Sequence, residues 1–176
     1  MTTPVAPAAG TYAALEPLRD GRQVEIRALR PGDRDAMLAM VARISDNAMY
    51  RRFFGAKRHF SEREIDNFVN VDFVTHVALV AVADAGRGAI VAGGRYVVVR
   101  PGSAELAFMV ADDHQGHGLG AALMRHLAAI GRAAGLKEFI AEVLADNHPM
   151  LRVFERSGLP LTTRRHGTII HVTLQL

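Results

Sequence analysis

The run Gln115-Gly116-His117-Gly118-Leu119-Gly120 constrains this chain most, because it joins two segments of different periodicity. Ala104 to Ala111 has the composition of a strand, whereas Leu119, Leu123, Leu127 and Ile130 recur at helical spacing. A glycine-rich turn between strand and helix has a specific physical use. Its backbone can approach a ligand with no Cβ in the way, and the free N–H groups and dipole of the helix start favour an anion. A tight turn holding no ligand uses the same residues. Gly116-x-Gly118-x-x-Ala121, with Glu138 downstream, also satisfies the dinucleotide fingerprint.

Context decides against a dinucleotide. Val77 to Val82 and Ala89 to Val99 are rich in β-branched residues and are separated by the loop 84–88. With 104–111, entered through Arg100-Pro101-Gly102-Ser103, they predict an antiparallel meander before the glycine loop, and too little chain remains after it for a doubly wound sheet. Upstream, Val24 to Leu29 alternates like a strand and stops at Arg30-Pro31-Gly32. Asp33 is placed to cap a helix carrying Met37, Leu38, Val41 and Ile44, and Ser45 to cap a second over 46–54, stopped by Gly55. Ser61 and Glu64 have capping-box spacing and open a third helix through Phe68.

Downstream, Gly135 ends the long helix, Phe139 to Leu144 reads as a strand, Asn147 to Ser157 as a helix, and two short strands flank His166-Gly167. Residues 1–20, rich in Ala, Pro and Thr without a period, read as a flexible tail, and 21–176 as one domain. The expected fold class is α+β: a mixed, mostly antiparallel central sheet flanked by helices, locally parallel across 104–144.

Composition removes several function classes. With no cysteine there is no disulfide, thiolate zinc site or cysteine nucleophile. No apolar run reaches membrane-spanning length and no leader pattern opens the chain, so a cytoplasmic address without membrane association is expected. The 21 Lys and Arg against 18 Asp and Glu form no long basic arm, which argues against nucleic acid and leaves a small polyanion compatible. His114-x-x-His117 lies within the loop turn, and no metal is expected. Arg51, Arg52, Lys57 and Arg58 make one compact basic cluster, either a solvated helix face or the edge of an acceptor cleft.

Two carboxylates stand out. Glu105 shares a strand face with Ala107 and Met109 just before the loop, and an acid among apolar strand residues is uncommon; a solvated strand end after Pro101-Gly102 is the structural alternative. Glu142 interrupts Ile140 to Leu144, where a structural hydrogen bond or an edge position is the alternative.

Val110 to Ala121 resembles the Gln/Arg-x-x-Gly-x-Gly/Ala motif of the GNAT superfamily of N-acetyltransferases, with Gln115, Gly118 and Gly120 at its named positions. The resemblance runs from Val24 onward, through the Asn147 helix to Gly158-Leu159. The segments 50–55, 104–108 and 141–147 are similar to bacterial protein lysine acetyltransferases of the Pat type. It implies a GNAT-like fold, acetyl-CoA as cosubstrate, and a protein substrate bearing a reactive lysine, commonly an acyl-CoA synthetase. The cofactor-contacting positions it implies are the backbone of Phe108, Met109 and Val110, the loop residues Gln115, Gly116, His117, Gly118, Leu119 and Gly120, then Ala121, Asn147 and Phe154. Glu105 matches the family's general base, and Glu142 is the reserve. Phe154 falls where many members carry a tyrosine that protonates the departing thiolate, and a phenyl ring cannot do so. Two other functions remain open at this point: acetylation of a small-molecule amine, and CoA binding with weak catalysis.

Overall fold

The computed structural model of the 176-residue chain describes residues 8–57 and 59–176. In chain order the elements are β1 (Ala13–Pro17), β2 (Gln23–Ala28), α1 (Arg34–Ala42), α2 (Asp46–Phe53), α3 (Glu62–Val69), β3 (His76–Val82) and the single turn α4 (Ala83–Gly86). There follow β4 (Ile90–Arg100), β5 (Ser103–Val110), α5 (Leu119–Ala133), β6 (Glu138–Leu144), α6 (His148–Glu155), β7 (Leu161–His166) and β8 (Ile169–Gln175). The strands form one sheet in the order β1-β2-β3-β4-β5-β6-β8-β7. Every neighbouring pair is antiparallel except β5 and β6, as the strand-loop-helix-strand order requires. No helix among the described residues is long and apolar enough to cross a membrane.

Strand alternation sends successive side chains to opposite faces, and each face has its own core. On one, Leu79, Tyr96, Leu106 and Phe139 pack with Leu123 and Leu127 of α5 and Phe154 of α6. On the other, Ala78, Val80 and Val82 pack with Met40, Ile44 and Met49 from the α1–α2 region. Full burial of an aliphatic side chain contributes about 1.5–3 kcal/mol, so the helices are held mainly by these apolar faces. Capping then sets where they begin. Ser45 Oγ accepts the Ala48 N–H at 3.3 Å; Ser61 Oγ accepts that of Glu64 at 3.2 Å, and the Glu64 carboxylate accepts the Ser61 N–H at 2.9 Å. α2 ends at Phe53, and its C-cap Phe54, just before Gly55, has a left-handed φ of 57°.

Two expectations change. The flexible tail does not extend to residue 20: Ala13–Pro17 is an edge strand paired with β2, and Leu18 is buried in the main core. Residues 1–7 of the expected tail lie outside the described residues. Tyr12 hydrogen-bonds His126 Nδ1 on α5, and Glu16 engages His126 Nε2 at 2.7 Å and Arg125 at 3.1 Å, which pins β1 to the helix. Asp33 precedes α1 but makes no side-chain cap to it. Its carboxylate instead accepts both terminal nitrogens of Arg27, at 2.8 and 2.9 Å, and the Arg30 N–H at 2.7 Å. Burial opposes ionisation of Asp33, yet these hydrogen bonds outweigh it and hold the carboxyl below its usual range.

Both partners of this bidentate pair are about nine-tenths buried, and removing the Asp33 charge leaves Arg27 only the longer contact to Glu25 at 4.0 Å. Asp33→Asn should destabilise the chain by about 3 kcal/mol in urea unfolding at pH 7. Because the folded carboxyl is depressed, its stabilisation is complete above the unfolded value near 4 and is lost as pH falls through the folded one. The gap between variant and wild type should therefore narrow below about pH 4.

Candidate active site

β5 is held unequally on its two sides. Eight register pairs join it to β4, from Arg100↔Ser103 to Ala92↔Val110. Only three join it to β6, Ser103↔Glu138, Ala104↔Phe139 and Glu105↔Ile140. Beyond Glu105 the two strands part, and the backbone of Leu106 to Val110 presents an unpaired edge to the opening. Phe154 of α6, fully buried, lies with its ring centroid 6.2 Å from that of Phe108 and fills the floor of the wedge.

The glycine loop closes the wide end of this opening. Gly116 and Gly118 have φ of +78° and +94°, and Gly118 is the N-cap of α5, so no side chain caps the helix and its first N–H groups are left for another acceptor. A Cβ built on Gly116 meets no atom within 4 Å, which marks open space over the loop. Gln115 turns back and donates from Nε2 to the Val110 carbonyl at 3.1 Å, tying the loop to the end of β5. Leu119 points into the core, so it can offer a ligand only its backbone. Gly120 faces α6, where a Cβ would come within 3.2 Å of Val153; its missing side chain serves helix packing. His117 Nδ1 lies 3.5 Å from Asp20, and His114 engages Asp113 and Arg22 at 3.0 Å each. Asn147 Oδ1 accepts the Met150 N–H at 3.4 Å and so caps α6, while Arg51 reaches over to the Asp146 carbonyl at 3.3 Å.

Arg19, which the sequence reading placed in the tail, belongs to this loop. The Arg19 N–H donates to the His117 carbonyl at 3.3 Å, and its Nε would sit 3.6 Å from a Cβ on Gly118. It is exposed, and among the described residues no carboxylate lies within ion-pair distance. The signal that could have found it is Asp20-Gly21, a hairpin turn dipeptide with Gly21 at φ +87° joining β1 to β2. Two open positive-φ glycines, an uncapped helix start, a free guanidinium and an unpaired strand edge together fit the pyrophosphate and extended amide arm of acetyl-CoA.

The other face of β5 carries Glu105, Ala107 and Met109, turned towards α1–α3 and away from α5. Glu105 is exposed, opposite Val97 on β4, at the point where β5 leaves β6. Glu142 lies on the same sheet face of β6, two residues past Ile140; it is half exposed and pairs with His171 Nδ1 at 3.3 Å. The structure thus puts Glu105 beside the opening and gives Glu142 a partner on β8.

Beside Glu105 two adjoining cavities share Arg52, Phe68 and Arg95. The expected basic cluster is therefore divided. Arg52 enters the cleft and Arg51 leaves it, while Lys57 pairs with Glu64 at 2.5 Å; Arg58 lies outside the described residues. Burial lowers the Arg52 guanidinium below its usual value against the opposing charge of Glu105. Burial, with Arg52 adding to it, pushes Arg95 down to about 10.

The profile of the acetyltransferase (GNAT) family matches residues 45–159. An acetyltransferase of Pseudomonas aeruginosa is 36% identical over 138 residues, covering 77% of this chain and 74% of that protein. Acetyltransferase Pat of Mycolicibacterium smegmatis is 32% identical over 145 residues, covering 80% of this chain and 42% of that protein, so the chain spans less than half of its length. Among solved structures, the GNAT domain of S. lividans PAT superposes with a TM-score of 0.85 at 31% identity, over 93% of this chain and 97% of that one.

If the glycine loop receives the pyrophosphate, Gly118→Val should weaken acetyl-CoA binding at least tenfold by calorimetry, since a side chain at positive φ distorts the helix start at a cost of about 1–2 kcal/mol. Gly135 also has positive φ, +82°, but lies at the far end of α5. Gly135→Ala should carry comparable backbone strain and leave acetyl-CoA affinity unchanged.

Proposed function

The chain belongs to the acetyltransferase (GNAT) family, and on that premise we propose that it acetylates the ε-amine of a lysine in a protein substrate, with Glu105 as the base. As a member it is an acetyl-CoA-dependent N-acetyltransferase. The lysine acceptor is supported by the likeness to the two Pat proteins and by an acceptor face that lies open beside β5. An acyl-CoA synthetase is the substrate class we infer from that likeness.

A single observation carries the mechanism: Glu105 stands exposed on the acceptor face of β5 at the last residue paired with β6. An amine with an ordinary pKa near 10.4 is protonated at neutral pH and attacks a thioester only after losing that proton. A carboxylate at the mouth of the opening can take it, directly or through one water. Acetyl-CoA supplies the activated acyl group as a thioester. In the stretch Phe108, Met109 and Val110, the N–H groups of Phe108 and Val110 point away from β4, because Ala111 and with it Met109 bond to that strand, and they are available to hold the carbonyl oxygen as charge develops on it. Glu142, held by His171, orients the acceptor from β6 and is the reserve base.

No hydroxyl stands at the place of Phe154, whose ring is buried against Phe108. A thiol with a pKa near 8.5 can leave as thiolate or take a proton from water, and the chain's chemistry needs no side-chain acid.

Glu105→Gln should leave the acetyl-CoA dissociation constant within about twofold and lower kcat by about 10²–10⁴-fold at neutral pH. Thiol release and mass gain on an acyl-CoA synthetase provide the readout. Undiminished turnover removes Glu105 from the base role, and turnover confined to small amines removes the protein substrate.

A further inference from the structure

Two arginines lie in the acceptor cleft with no carboxylate at ion-pair distance among the described residues, although the charge of Glu105 is felt by Arg52. Arg95 donates to the Phe68 carbonyl at 3.1 Å, hydrogen-bonds His76 Nε2 at 3.2 Å, and stacks over the Phe68 ring at 5.1 Å; Arg52 stacks over Phe53 at 4.7 Å. Among the described residues neither makes an ion pair, although both are partly buried. Two like charges in a partly desolvated cleft repel each other, and an arrangement of that kind invites an anion.

The surrounding groups do not neutralise the two guanidiniums. Asp72, an acid lining the outer cavity, has its carboxylate occupied by the Thr75 hydroxyl and the N–H groups of Val74, Thr75 and His76. His76 is kept below its ordinary pKa by burial and by Arg95, so it stays neutral and accepts from the guanidinium. The inner cavity, about 50 Å³, holds little more than a water or two, while the outer one, about 460 Å³, has room for an acidic side chain. Arg95 and Glu105 lie on adjacent strands, with Ala107 opposite Arg95 and Val97 opposite Glu105. Such diagonal positions share a sheet face about 7–8 Å apart, so a base and a cation stand side by side along one acceptor.

We propose that Arg52 and Arg95 form an anion subsite that takes a carboxylate carried by the acceptor next to its reactive amine. The preferred substrate is then a lysine with an acidic side chain beside it, an inference that rests on the lysine reading above and narrows it.

Two peptides identical except for Glu or Gln beside the lysine provide the test, with wild type, Arg52→Gln, Arg95→Gln and the charge-conserving Arg95→Lys. Wild type should favour the Glu peptide by about tenfold in kcat/KM, mainly through KM. Either Gln variant should erase that ratio, and Arg95→Lys should keep part of it. Because the readout is a ratio within one protein, a variant of lowered stability still reports. Equal use of both peptides by wild type overturns the subsite and leaves the acetyltransferase reading intact. So does a ratio that survives both Gln changes while kcat falls for both peptides, which makes Arg52 a partner of Glu105 alone. If neither peptide is acetylated, the lysine reading fails, and glutarate titrated into the acetyl-CoA complex decides the subsite separately. Saturable shifts of the Arg52 and Arg95 side-chain N–H resonances uphold it, and static resonances overturn it.

Discussion

Because β5 and β6 are parallel, the chain must leave the end of one and return to the start of the other through a helix, and α5 is that crossover. The two strands are in register at their beginnings and separate after Glu105 and Ile140, so the crossover spans a wedge and not a continuous sheet. An interrupted ladder leaves backbone donors and acceptors without partners, which is costly unless something else pairs with them. Here the gap is bounded by the Gln115–Gly120 loop at its wide end and by Phe108 against Phe154 beneath it. Glu105, the last β5 residue paired with β6, stands where the ladder stops, with the α5 N-terminus at the other end of β5.

Much of this was legible in the chain because the signals are local. Ser45, Ser61 and Asn147 cap the helices they precede, each over a span of three residues. The glycines at 116 and 118 announce their backbone geometry by type alone. What could not be read depends on partners distant in sequence. β1 is an edge strand whose side chains are exposed or half-buried, so no apolar alternation betrays it, and its anchors at His126 and Arg125 lie more than a hundred residues away. Asp33 sits where a cap belongs, and only the fold reveals that Arg27 claims its carboxylate. Arg52 reads as one more charge on a basic helix, and Arg95 lies unremarked in the β-branched run 89–99; their meeting requires α1 and α2 to pack over β4 and β5.

The cleft arginines also bear on why such a charge pair survives in a folded chain. A guanidinium is planar and more weakly hydrated than an ammonium, so its transfer from water costs less and its face can rest on an aromatic ring. Phe53 and Phe68 provide those rings, and Phe60 packs edge-on against both. The Phe68 carbonyl and neutral His76 satisfy Arg95 without neutralising it. Had a carboxylate been placed between the two arginines, the cleft would be more stable and closed to any anion from outside. The arrangement instead leaves positive charge in the cleft with exposed Glu105 beside it, and on the reading proposed above an acceptor would be oriented with its amine at Glu105 and its own acid at the arginines.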